Sequence, residues 1–418
     1  MYSNFVSSSN KRLSGTTIEE MSRLRGEPYW MREFRLRSYD KFMTKPTPKW
    51  GCDLSKINFH NIYLHATTCD KTNMSDTFGI SKAKEDYEEF YRKQRENLAE
   101  DGVIFVNIQT AVKKYPELIE KYFGKVIPPA DNKFAALNTA IWSGGSFIYL
   151  PPNVKSKVPM HNYYGINAEN SGQFERNLII VDESAQLHYV EGCSPPMYAT
   201  GKDLLQSAVT EIIAMKNAKI RYVNIQNWSN DVYNLATKRA YAYEGATVEL
   251  IDGNIGGRST MNYPSVYMLG RNGQHQDVGA KAVHLNQNTT SKITSKSISK
   301  TSGRTTHRGL IHVENGAKGA RADLRCEALI LDEKSRSDIY PYFKVNEKDV
   351  LVSYEGVVAP VADQLFYLMS RGYTESDALS MIVEGFMEPF IKELPLEFSV
   401  ELPRLLNLKM EHPAFNYP

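Results

Sequence analysis

The chain has 418 residues, a formal net charge of +2, and 42% hydrophobic and 23% charged residues, the composition of an ordinary globular protein with room for two or three domains. So even a charge balance gives no global electrostatic reason to seek nucleic acid or an anionic membrane. No stretch of eighteen apolar residues is present to span a bilayer, and MYSNFVSSSNKRLSG has no apolar signal-peptide core, so the expected location is cytoplasmic.

Residues 1–145 read as a mainly helical region. In IEEMSRLRGEPYWMREFRLRSYDKFM, Pro28 stands at a first-turn position and Trp30, Met31, Phe34 and Phe42 recur at helical intervals. SKAKEDYEEFYRKQRENLAEDG, 81–102, is charged around most of its circumference, as a solvated helix would be.

From about Ser146 the period changes to short β-branched or alternating runs separated by Gly, Asn and Asp, and this pattern holds through residue 358. Three of the runs resemble one another: SAQLHYV, NAKIRYV and GATVELI. Their alanines, Ala185, Ala218 and Ala246, are 33 and then 28 residues apart, and NGAKGARADL at 315–324 reads as a degraded copy. Such intervals suit coils of a stacked solenoid, although turn-then-strand units of a β-sandwich would also look alike.

Helix returns over 359–418. Gly372 closes a first helix after QLFYLMSR, and Thr374 with Asp377 forms a capping box for a second. Leu379, Ile382, Val383, Phe386 and Phe390 make an apolar stripe on it, suited to packing on the chain itself or to a partner.

Catalytic templates are missing. The chain holds no GxxxxGK[ST], HExxH, GxSxG or CxxC; GNIGGRS at 253–259 lacks the phosphate-loop lysine and reads as a strand-to-strand turn. ATP hydrolysis is therefore expected elsewhere. Cys52, Cys69, Cys193 and Cys326 are too few and scattered for a disulfide framework and should be free thiols. Cys326, in RADLRCEALILDEKSRSD, has Arg321 and Arg325 near it, and cations lower a thiol pKa. Alternation nevertheless turns Arg325 to the other face, and a buried free cysteine is usually an inert small hydrophobe. Cys193, in YVEGCSPPMY, reads as a loop cysteine. His161, His307 and His312 read as satisfied polar side chains of the β region, and Glu355, in SYEG, lies near the turn into the C-terminal helices.

Longer words are more specific. SGGSFIYLPPNVKSKVPMHNYYGINAENSGQFERNLIIVDESAQLHYVEGC, then QNW, TKRA and QLFYLMSRGYTESDALSMIVEGFMEPFIKELPLEF, resemble the SufB/SufD family of the SUF iron-sulfur cluster assembly system, the central words favouring the SufB branch. The resemblance runs from about residue 20 to 400. It implies a mainly β fold, a right-handed parallel β-helix core between N-terminal and C-terminal helical regions. It also implies a non-enzymatic scaffold carrying a transient iron-sulfur cluster, with no nucleotide of its own. The implied partners are a SufC-type ABC ATPase docked on the C-terminal helices, SufD or a second SufB copy at a β-helix dimer interface, a sulfur donor, and apo iron-sulfur proteins.

Carried over residue by residue, Cys326 matches the cysteine of cluster assembly and Glu355 an acidic residue implicated with it. Cys193 matches a sulfur entry point passing persulfide inward, and Gln226, Trp228 and Lys238 match positions lining the internal route. The chain departs from the pattern at Tyr354, where many bacterial relatives have histidine, and at Ser353. Tyr354 is therefore a candidate additional ligand, as phenolate, with the partner chain as another source. Two rival readings stay open: a SufD-like structural subunit without its own cluster, and a β-helix carbohydrate-active enzyme, which would need clustered carboxylates on successive coils.

Overall fold

The computed structural model describes residues 13–392 except 49–53, 56, 58, 60–62, 65–100, 157–158, 166–170, 195–203, 229–231, 257, 263, 269–275, 278–280 and 300–303. Cys52, Cys69 and nearly all of the charged 81–102 segment lie outside the described residues. Among the described residues, no helix is long and apolar enough to cross a membrane.

The chain divides into two compact units, with the boundary between His275 and Gln276. The first opens with helices α1 (Gly15–Leu24) and α2 (Tyr29–Thr44), then strands β1 (Tyr63–Leu64) and β2 (Ile104–Asn107) and helices α3 (Ile108–Lys114), α4 (Pro116–Tyr122) and α5 (Lys133–Ile141). Pro28 is the N-cap of α2; Met31 and Phe42 are buried on it, and Trp30 and Phe34 pack beside them.

The β series of this unit runs β3 (Ser146–Leu150), β4 (Met160–Gly165), β5 (Ser171–Val181), β6 (Gln186–Ser194), β7 (Leu204–Ala214), β8 (Lys219–Trp228), β9 (Val232–Ala242), β10 (Thr247–Gly256), β11 (Ser259–Asn262) and β12 (Ser265–Met268). Odd strands β3, β5, β7 and β9 pair in parallel in one sheet, with β2 added antiparallel to β3. Even strands β4, β6, β8 and β10 pair in parallel in a second. The second unit repeats the plan with β13 (Gln276–Asp277), β14 (Lys281–His284), β15 (Thr290–Ser299), β16 (Arg304–Val313), β17 (Ala320–Ile330), β18 (Arg336–Val345) and β19 (Val350–Pro360). Here β14, β16 and β18 share one sheet and β13, β15, β17 and β19 the other. Helices α6 (Ala362–Ser370) and α7 (Glu375–Ile391) follow. The fold is thus mostly a parallel β-solenoid of about six turns, preceded and followed in the chain by helices.

The repeat seen in sequence is a turn. Ser184, Asn217 and Gly245 have positive φ, and each is followed by a fully buried alanine, Ala185, Ala218 or Ala246. Every one of these alanines donates its N–H to the carbonyl three residues back, and the side chain left in the turn must be small enough to stack on the next coil. A Cβ at Gly245 would collide with Asn217 Oδ1, so glycine is required where asparagine turns stack. In the second unit Asn288 with Thr289 and Gly319 with Ala320 are the same device, which makes Ala320 the counterpart of the repeat alanines. Gly253–Gly256, expected as a turn, belong instead to β10, because their backbone groups extend the ladder with β8.

Buried polar groups bind the helices of the first unit to its strands. Arg176 donates to Glu211 at 2.5 Å, and Glu211 accepts the N–H groups of Gly124, Val126 and Ile127, each at 2.9 Å. In the second unit Leu329, Leu331 and Val361 bury Leu379 and Val383 of α7, with Ile382 and Phe386 alongside. The stripe predicted there packs on its own chain from Leu379 to Phe386, the Phe390 side chain lying outside what is described, and Thr374 caps the helix by accepting the Asp377 N–H.

Candidate functional site

In β17 burial alternates from Ala320 to Ala328, so even-numbered side chains face the coil interior and odd-numbered ones face outward. Cys326 is an inward residue, 1% exposed, and burial pushes its thiol up to about 12. The outer face carries the charges. Arg325 donates to Glu327 at 2.6 Å and stands 3.4 Å from Glu355, its register partner on β19. Lys296 donates to Glu327 at 2.5 Å and to the Phe386 carbonyl of α7 at 3.1 Å, with its ammonium 4.4 Å from the Phe386 ring centroid. Burial would raise Glu327, but Lys296 and Arg325 outweigh it and hold the carboxyl below its ordinary value.

Cys326 and Glu355 thus lie on neighbouring strands but opposite faces of one sheet. The inward partners of Cys326 are Ser295 on β15 and Gly356 on β19. Tyr354 is what bends toward the thiol: its hydroxyl lies where a Cβ on Gly356 would be, and its ring stands edge-on to Phe343 at 5.9 Å. Its phenol is raised first by burial and second by the charge of Cys326. Ser353 points outward and donates to Asp323 at 2.6 Å.

His307 departs from its expected role as a satisfied side chain, because its Nε2 is buried without a hydrogen-bond partner. Burial lowers its pKa to about 4, which leaves a neutral imidazole. His312 pairs with Glu314 at 3.0 Å. The inward His284 is satisfied, Nδ1 against Thr289 and Nε2 against Ser291.

The first unit gathers the other predicted residues. Cys193 lies near the end of β6 rather than in a loop, in register with Gln226; the ladder with β8 continues through it. Gln226 is fully buried and accepts from Asn234 and, at 3.4 Å, from Trp228 Nε1. Lys238, also buried, donates to Asp252 and stands 5.4 Å from the Tyr222 ring centroid. Gln226, Trp228 and Lys238 are each buried in the interior of this unit, Gln226 beside Trp228 and Lys238 beside Asp252.

That interior contains residues the motifs did not single out. Six places after the repeat alanines stand Glu191, Asn224 and Asp252, in register on β6, β8 and β10. Glu191 accepts from Asn177 at 3.1 Å and Tyr222 at 3.0 Å. Burial lifts its carboxyl to about 7 against the pull of Lys238, and burial also lifts Glu175 well above the ordinary range. A legible signal existed: one polar residue at the same place of each repeat, inside an apolar alternation. Counted from Ala320, that place is Cys326.

Comparison with known proteins gives two family matches: residues 38–161 to the SufBD protein N-terminal region, and residues 164–386 to the SufBD core domain of SUF system FeS cluster assembly. Iron-sulfur cluster assembly protein SufB of Bacillus subtilis is 45% identical over 439 aligned positions, covering 96% of this chain and 94% of the relative. An iron-sulfur cluster assembly SufBD family protein of Staphylococcus aureus matches with the same identity and coverage.

Proposed function

The chain belongs to the SufBD family of iron-sulfur cluster assembly proteins, and from that premise we propose that it is the scaffold subunit on which a labile cluster is built and from which it passes to apo-proteins. Cys326 is the central thiolate, with Tyr354 as an additional oxygen ligand. Glu355 contributes from the outer face. Because β19 is the edge of its sheet among the described residues, metal seated at its rim would be reachable from both faces. Cys193 receives sulfur as persulfide, and Gln226, Trp228 and Lys238 line the route by which it travels. Iron, sulfide and the cluster are cargo.

One observation carries this reading: Cys326 sits one strand in from an edge that has no further strand among the described residues and that exposes Leu351, Tyr354, Val357 and Val358. An exposed apolar edge is a template for another chain. A second SufB copy or a SufD chain laid on it would seclude the Cys326 region and add ligands, so that few thiolates from each chain give a site able to release its cluster. ATP chemistry belongs to a SufC-type ABC ATPase, for which α6 offers exposed Phe366, Tyr367 and Met369. Lys296, joining α7 to the charged row beside Cys326, is suited to carry movement of those helices to the site.

The test is anaerobic reconstitution with iron and a sulfur source in the presence of the ATPase, comparing the native chain with Cys326→Ala by absorption and Mössbauer spectra. A sulfide-containing cluster that transfers to an apo-acceptor, and is lost in the variant, supports the scaffold. Equal behaviour of the two chains would point to a SufD-like structural subunit.

A further inference from the structure

His307 has no part in that reading, yet its position within the second unit is chemically suggestive. It lies on β16, where Gly309, Ile311 and Val313 are buried and Arg308, the outward neighbour, stacks on Tyr340 at 4.8 Å. Strand alternation therefore turns His307 into the coil. The chain leaves β16 at Val313, turns through 314–319 and returns in the opposite sheet as β17, so the two strands run in opposite directions and residues equidistant from the turn face each other. Gly309 and Leu324 satisfy this: a Cβ on Gly309 would lie 2.7 Å from Leu324 Cδ2. On the preceding turn Thr305 donates to Ser297 at 3.2 Å, crossing between sheets in the same manner. Two residues back from Gly309 is His307, and two residues on from Leu324 is Cys326.

The imidazole and the thiol thus occupy facing positions of one coil. His307 Nε2 would be 3.3 Å from a Gly309 Cβ, so the absence of a side chain at 309 is what leaves the ring room. That nitrogen is buried and unpartnered, an unfavourable arrangement for a polar atom with nothing to bond. The Tyr354 hydroxyl reaches the same interior from β19, beside the register partner of Cys326. Sulfur, nitrogen and phenolic oxygen are thus presented to one coil interior by three strands, a mixed set of donor types suited to iron and other first-row transition metals.

We propose that His307 is the nitrogen donor of the Cys326 site, binding ferrous iron through Nε2 from the wall facing the thiol. This rests on Cys326 being the metal-binding cysteine. It gives the chain an imidazole ligand from β16, where the resemblance led one to look for it at position 354. The iron enters as cargo and no electron changes hands: the thiol gives up its proton to solvent as the sulfur–metal bond forms, and the imidazole donates a lone pair.

The experiment uses the full-length chain, reduced and anaerobic, titrated with cobalt(II) as a spectroscopic stand-in for ferrous iron. The native chain is expected to develop a thiolate-to-cobalt charge-transfer band, and Cys326→Ala to lose it. His307→Phe, which keeps an aromatic ring in the coil, should weaken cobalt binding on the order of tenfold or more, since even outer partners of ligands are worth that much, and should shift the visible ligand-field bands. In His307→Ala, added imidazole should restore them, which a packing role would not produce. If His307→Phe binds with native affinity and unchanged bands, the nitrogen assignment is overturned while Cys326 stands. If the native chain shows no band, or Cys326→Ala keeps it, the parent reading of Cys326 fails, and this inference fails with it.

Discussion

The same place in the repeat is filled differently in the two units. In the first, the sixth residue after the repeat alanine is Glu191, Asn224 or Asp252, deep among Lys238, Tyr222 and Asn177. In the second, Ser295, Cys326 and Gly356 occupy that row, on strands that end in an exposed edge. A buried carboxylate must find its partners inside the fold or give up its charge. Cys326 is buried too, but as a neutral thiol it needs no such partner. One backbone plan thus holds a row of polar side chains in one unit and a row of small side chains in the other.

The largest expected effect tests how firmly the closed unit depends on buried pairing. Arg176→Met strands Glu211 among three N–H groups without its guanidinium, and should cost about 3–5 kcal/mol in urea unfolding. A loss below about 1 kcal/mol would mean that Glu211 is held by the backbone alone.

Next comes pH. The folded-state pKa of Glu191 is raised to about 7 from an ordinary value of 4.5, so the folded chain binds the extra proton. Its stabilising contribution is complete below the unfolded pKa, falls as pH rises from there to about 7, and is gone above it, on the order of 3 kcal/mol in all. Glu175, raised as well, acts in the same direction. Urea midpoints should therefore fall between pH 5 and pH 8, and Glu191→Gln should flatten that slope; an unchanged slope would assign the effect to other groups.

A smaller effect separates the helices from the sheet. Lys296→Met removes hydrogen bonds to Glu327 and the Phe386 carbonyl, worth about 1.5–3 kcal/mol together with the charge. Amide exchange should quicken in the second half of α7 while β7 and β9 of the first unit keep their protection. Uniform quickening throughout the chain would deny a local tie.

The least effect is expected at the open edge. Arg325 is 48% and Glu355 55% exposed, so Glu355→Gln should change stability by less than about 1 kcal/mol. Reduced cluster formation in that variant, with stability unchanged, would separate function from folding; a large destabilisation would make Glu355 a structural residue.

Much of this was legible in the chain itself. The alanine repeat reported turns because a coil that stacks on itself must reuse the same small, positive-φ corner, and that demand is local. Pro28, Thr374 and Gly372 announced helix ends for equally local reasons. The stripe from Leu379 to Phe386 declared its apolar side but not what covers it, since helical period carries no information about the partner. Cys193 read as a loop residue because prolines follow it, whereas its pairing with Gln226 of β8 keeps it in the strand.

By itself, then, the sequence determined a coiled β core between helical ends, the absence of a phosphate loop, and a small set of thiols and polar residues in family words. Tertiary structure alone decided which of these meet. Alternation assigns a side chain to a face, but the facing of His307 and Cys326 depends on how two sheets close around a turn. The separation of Cys326 from Glu355 follows from parallel register, which places Gly356 beside the thiol and Glu355 beside Arg325. Local sequence encodes period and turns; register across strands and closure of the coil are set by packing between segments that sequence does not pair on its own.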